Sequence, residues 1–124
     1  MANLLIFHDK PDYEKVLAPK GYQIASFADK GPALESAQSR KWDLALINAD
    51  LAQGLEILRQ LRQRHPEVRL VTVMGSPDLS LLRQALSLGV QEVLFTPVDP
   101  AELEAKVAKV AKATKRNLKE ALAL

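Results

Sequence analysis

Short apolar runs alternate with longer amphipathic ones along this chain, and the alternation predicts five strand–helix units. The run "NLLIF" (3–7) has the continuous apolar character of a buried strand, and "PDYEKVLAPKG" (11–21) reads as a short helix with Pro11 in its first turn and Gly21 at its end. "YQIASFA" (22–28) alternates as a strand, and "GPALESAQSRK" (31–41) is helical, again with a proline near its start. "DLALINA" (43–49) is the third strand. "GLEILRQLRQRH" (54–65) sets Leu55, Leu58 and Leu61 on one face and is stopped by Pro66. The β-branched "VRLVTVM" (68–74) is the fourth strand. "PDLSLLRQALSLG" (77–89) is a helix with Ser76 or Asp78 as its cap and Gly89 at its end. "EVLFT" (92–96) is the fifth strand, and Asp99 and Pro100 open a long helix over 99–124.

Strands that are apolar on both faces, set between amphipathic helices, imply a parallel sheet covered on two sides. With right-handed crossovers and five strands, the expected architecture is a flavodoxin-like, doubly wound (βα)5 α/β fold with strand order 2-1-3-4-5. Such sheets place ligands at the carboxyl ends of their strands. Residues 1–124 read as one domain, with no internal repeat or linker.

Composition narrows the function classes. A net charge of +2 is too small to imply nucleic acid or an anionic membrane surface. The absence of cysteine excludes disulfides, thiol chemistry and zinc–thiolate sites, and fits a reducing cytoplasm. The amino-terminal "MANLLIFHDK" has neither the basic start nor the apolar run of a signal peptide, and no stretch reaches the roughly 20 apolar residues needed to span a bilayer. Glycine-rich phosphate loops, nucleophile–base pairings and metal-ligand clusters are lacking, so enzymatic activity is not expected and no cofactor is implied.

The predicted strand ends carry His8 and Asp9, then Asn48, then Met74 with Gly75, then Thr96 with Pro97. At these positions the chain resembles a response-regulator receiver domain over nearly its whole length. "LLIFHDK" resembles that family's first strand, "GYQIASFADKGPALESAQSRKWDLALINAD" its next three elements, and "LGVQEVLFTPVDPAELEAKV" its closing segment. The resemblance implies a site for aspartyl phosphorylation, and every chemical element of that site departs from the pattern at one residue or more, Asp9 alone being kept. The phosphoacceptor aspartate is matched by Asn48, whose amide oxygen is a poor nucleophile. The acid pair that holds Mg²⁺ reads His8-Asp9, leaving Asp9 as a residual acid for a cation that prefers carboxylate oxygens. Thr96 stands for the phosphoryl-neutralising lysine, Met74 for the hydroxyl donor and Val93 for the switch aromatic. The loop "ADLAQGLE" is about two residues shorter than usual and lacks its proline. Asp50 offers a carbonyl or carboxylate in that loop, but beyond the strand it need not face the pocket. His8, Asp9, Asn48, Met74 and Thr96 thus read as a degenerate phosphorylation pocket without a catalytic or metal-binding set.

Plainer roles compete for several of these residues. His8 reads first as a partly exposed polar loop residue and only second as a pH switch or ligand. Asp9 suits a helix amino terminus, and His65 the last carbonyls of its own helix. The resemblance implies a cis Thr96-Pro97 bond. On the last helix, Leu103, Val107, Val110, Thr114, Leu118 and Ala121 share a face, and six basic residues with no acid fall between Lys106 and Lys119. That stretch reads as a solvated surface or as a docking or dimer helix leading toward a partner or further domain.

The expectation is a phosphorylation-independent pseudo-receiver of two-component signalling. It would bind a protein partner, or a second copy, through the face of helix 77–89, strand 92–96 and helix 99–124, with Arg83, Ser87, Gln91, Lys106 and Lys109 as contacts. Rival readings are phosphorylation at an unexpected residue, a regulatory domain of a DNA-associated transcriptional regulator, and a small-molecule sensor using the vacated pocket. Nucleic acid would be met only through another domain.

Overall fold

A computed structural model describes residues 2–8, 12–50, 53–75 and 78–123, with side chains as far as Lys112. Five strands, β1 (Asn3–Phe7), β2 (Gln23–Phe27), β3 (Leu44–Asn48), β4 (Arg69–Met74) and β5 (Val90–Phe95), form one parallel sheet in the order β2-β1-β3-β4-β5. Between and after them run α1 (Asp12–Leu17), α2 (Lys30–Ser39), α3 (Gly54–Arg64), α4 (Leu79–Ser87) and α5 (Pro100–Ala123). The expected flavodoxin-like fold is the observed one.

Side-chain alternation along each strand divides the core into two layers. In β1, Leu5 and Phe7 join Ala33 and Ala37 of α2 and Ile57, Leu58 and Leu61 of α3. Leu4 and Ile6 join Leu17 of α1 and Leu103, Val107 and Val110 of α5 on the other face. All five residues of β3 are buried, as a central strand covered on both faces requires. By contrast, α4 fully buries only Ala85, with Leu81 and Leu82 partly covered and Gln84 bonded to Arg59 of α3 at 3.2 Å.

Several expected boundaries shift for physical reasons. The helix expected over 11–21 is a six-residue α-helix followed by a tighter 3-10 turn, Ala18–Lys20, because Pro19 cannot continue the α-helical ladder. Gly21 then leaves that turn at φ 87°. Helix 77–89 narrows to α4: Asp78 is its N-cap, accepting from the amides of Ser80 and Leu81 at 3.0 and 3.1 Å. Strand 92–96 begins two residues earlier, at Val90. The ladder with β4 slips there, pairing Leu70 with Val90 and Val71 with Glu92, so Gln91 is an extra, bulged residue on an edge strand. The Thr96-Pro97 bond is cis, as the resemblance implied. Thr114, Leu118 and Ala121 lie where the backbone of α5 continues but side chains fall outside the described residues.

Candidate functional site: the carboxyl ends of the strands

Parallel strands bring the ends of β1, β3, β4 and β5 to one edge of the sheet, so His8, Asn48, Met74 and Thr96 meet there although far apart in sequence. Asp9 lies outside the described residues. The others do not form the loose polar loop that the sequence suggested for His8. His8 is 4% exposed, its amide donates to the Phe27 carbonyl at 2.9 Å, and its ring lies 4.2 Å, centroid to centroid, from that of Tyr13 on α1. Its Nε2 is 3.1 Å from Asn48 Nδ2.

The polarity of that contact follows from the other end of the same amide. The Asp50 backbone N–H approaches Asn48 Oδ1 at 2.9 Å, and a backbone amide only donates. The oxygen is therefore the atom facing Asp50, and Nδ2 faces His8 and donates to it. His8 Nε2 then accepts, which puts the ring hydrogen of a neutral imidazole on Nδ1. Asn48 thus bridges β1 and the β3–α3 loop as donor on one side and acceptor on the other. An ionised aspartate only accepts, so at this position it would require His8 to carry its hydrogen on Nε2 and donate, the reverse of the present arrangement.

The neighbouring positions are equally committed. Met74 is completely buried and its carbonyl accepts from the Thr96 amide at 2.9 Å. The buried hydroxyl of β4 belongs to Thr72, two residues earlier, and it donates to the Ile47 carbonyl at 2.9 Å. Val93 is partly buried beside the core layer of α2 and α3. Among the described residues this edge offers the His8 imidazole and the Asn48 amide, which satisfy each other, and a single carboxylate, that of Asp50, with no group of three or more acids and imidazoles that could hold a metal ion. Such a set does not fit Mg²⁺, which prefers several carboxylate and water oxygens.

The placement of Asp50, which the sequence left open, is set by its carboxylate. Its carboxylate Oδ2 accepts from the Gly75 amide at the end of β4, so it turns into the pocket rather than away from it. The shortened loop is the reason and was its sequence signal. Gly54 opens α3 directly against the end of β3, where an added Cβ would fall 2.3 Å from the Asn48 carbonyl oxygen. Gln53 takes φ 70° to make that entry. So tight a return leaves Asp50 beside the strand ends.

The cavity that includes Thr96 is about 180 Å³ and is lined also by Asp12, Tyr13 and Leu103. It lies to one side of His8, Asn48 and Met74, none of which lines it. A cavity of about 640 Å³ opens at the opposite end of the sheet, beside Trp42 and Arg62. Arg62 is not free there: it donates to the carbonyls of Leu88 and Pro66, both at 2.7 Å, and burial lowers its pKa. Nearby, His65 is the C-cap of α3, as expected, and its backbone amide donates to the Leu61 carbonyl at 2.8 Å, but its ring serves another helix. Its Nε2 donates to the Ala37 carbonyl in the last turn of α2, at 2.6 Å, because α2 and α3 pack side by side.

Of the expected partner contacts, Arg83, Ser87 and Gln91 are exposed on α4 and the β5 bulge. Lys109 is exposed and pairs with Glu92 at 2.9 Å. Lys106 is more than a surface charge: its ammonium donates to the Val93 carbonyl at 3.1 Å and sits 3.3 Å from Glu102. The sequence reading missed three large apolar side chains on this face, Leu79 (67% exposed), Leu86 (52%) and Phe95 (45%). A seven-residue spacing places Leu79 and Leu86 on one side of α4, away from Ala85, and was their available signal.

The family model described as "Response regulator receiver domain" matches residues 10–108. The response regulator protein PilR of Pseudomonas aeruginosa is 31% identical over 112 residues, covering 84% of this chain and 25% of PilR. The DNA-binding transcriptional regulator NtrC of Escherichia coli K12 is 29% identical over 96 residues, 76% of this chain and 20% of NtrC. The chain therefore spans a quarter or less of these two relatives. Among solved structures, a CheY-like response regulator receiver domain protein from Methanospirillum hungatei JF-1 superposes with TM-score 0.87 at 22% identity, covering 94% of this chain and 98% of that one.

Proposed function

Because this chain belongs to the response regulator receiver domain family, we propose that it is a pseudo-receiver: a two-component module that binds a protein partner without phosphotransfer and without enzymatic activity of its own. The observation that carries this reading is the Asn48 bridge. Where the family's chemistry calls for a nucleophilic carboxylate, the amide gives a hydrogen bond to His8 and takes one from Asp50, and the donation to His8 depends on its being an amide. Thr96 in place of lysine and the buried Met74 in place of a hydroxyl point the same way.

Partner binding is assigned to the face of α4, β5 and α5. Leu79, Leu86 and Phe95 give that face an apolar centre, and Arg83, Gln91 and Lys109 give it a polar rim, which is the usual anatomy of a protein contact. Incubation with acetyl phosphate or beryllofluoride and Mg²⁺ should leave the intact mass and the amide NMR spectrum unchanged. A stoichiometric mass gain of one phosphoryl group would overturn the reading. For a partner captured by affinity purification, Leu86→Glu should weaken binding at least tenfold, about 1.4 kcal/mol. Asn48→Ala should bind as the parent does; the reverse pattern would move the function to the pocket.

A second reading is favoured by the lengths of the relatives. PilR and NtrC are four to five times the matched share, and NtrC is a DNA-binding transcriptional regulator. In this reading the chain is the regulatory domain of such a protein, and DNA is met through another domain. The length of the native open reading frame decides it.

A further inference from the structure

Gly75 follows the last residue of β4, and its exposed amide finds a protein acceptor rather than being left to solvent. The acceptor is Asp50 Oδ2. Two other groups fix that meeting point. Asn48 Oδ1 holds the Asp50 amide at 2.9 Å, which sets the direction of the loop. A Cβ placed on Gly75 would lie 2.8 Å from Asp50 Oδ2 and 3.5 Å from Thr96 Oγ1, so carboxylate, amide and hydroxyl converge on one small space at the ends of β4 and β5. A donor amide beside a hydroxyl suits an oxyanion, and a carboxylate already seated there repels a second anion.

We propose that Asp50 is a built-in ligand: its carboxylate fills the anion position beside the Gly75 amide, excludes inorganic phosphate and other phosphoryl oxyanions from it, and ties the β3–α3 loop to the β4–α4 connection. This deepens the reading of a pocket without phosphotransfer and rests on it. The chain's own charge occupies the position irrespective of phosphodonors. Asp50 is exposed and contributes no core packing, so removing its carboxylate tests the tether without emptying the interior.

The experiment compares ¹⁵N-labelled parent chain, Asp50→Ala and Asp50→Asn, with circular dichroism to confirm folding. The Gly75 amide should exchange at least tenfold faster with solvent in Asp50→Ala, and its shift should move together with those of residues 78–82. Asp50→Asn, which keeps an acceptor but not the charge, should fall between the two; it carries the test if the alanine variant does not fold. Titration with inorganic phosphate at constant ionic strength should give saturable shifts at Gly75 and Thr96 in Asp50→Ala, at least tenfold tighter than in the parent. Equal Gly75 exchange in parent and Asp50→Ala, or equal phosphate affinity, overturns the proposal. These readouts involve no covalent labelling, so the proposal and the pseudo-receiver reading can fail separately.

Discussion

Asn48→Asp restores the family's nucleophile and nothing else, and its consequences follow from the contacts of one amide. The substitution removes the Nδ2 donor that satisfies His8 Nε2 at 3.1 Å, and it puts a negative charge on a side chain that is 7% exposed. The acceptor toward the Asp50 amide survives, since a carboxylate oxygen replaces Oδ1 at the same reach. His8 must move its ring hydrogen to Nε2 or take up a proton to meet the new carboxylate, and that rearrangement around a buried charge costs about 1–3 kcal/mol. Near the middle of that range, a melting temperature lower by about 8 °C is expected for a domain of this size. Phosphorylation should still not follow. A preorganised donor aimed at developing charge lowers a barrier by roughly 3 kcal/mol, and two are missing, the ammonium absent at Thr96 and the hydroxyl absent at Met74. Together they correspond to a rate lower by about four orders of magnitude than in a complete site. The assay is intact mass after an hour with acetyl phosphate and Mg²⁺, run beside a thermal melt. Labelling of the single variant at more than a few per cent, or an unchanged melting temperature, would refute the account of Asn48 as a bridge in a dismantled site.

Lys106 and Lys109 should separate although they lie one turn apart. Lys106→Glu sets a carboxylate against the Val93 carbonyl and near Glu92 and Glu102, and should cost about 1–2 kcal/mol in chemical denaturation. Lys109→Glu loses only an exposed pair with Glu92 and should change stability by under about 1 kcal/mol. Gly54→Ala should destabilise by about 2 kcal/mol in the same measurement despite alanine's better helix propensity, because the new methyl meets the Asn48 carbonyl and the Ala49 Cα, which are backbone atoms and cannot swing aside.

The sequence by itself determined the architecture. Apolar runs of five or six residues, alternating with amphipathic segments, suit a sheet covered on both faces, and proline, glycine and Asp78 punctuate the helices through local sterics and capping that need no distant partner. It also showed which chemical groups are missing, since the identity of Asn48, Met74 and Thr96 is independent of where they sit. What replaced the missing chemistry was decided by tertiary structure. His8 and Asn48 are 40 positions apart, and only parallel pairing of β1 with β3 lets imidazole and amide meet, bury each other and fix each other's hydrogens. Asp50 reached Gly75 because Gly54 could press against the Asn48 carbonyl, a close approach between backbones that residue types alone do not reveal. The exposure of Leu79, Leu86 and Phe95 likewise follows from how little of α4 the sheet covers, which is a property of packing and not of apolar character.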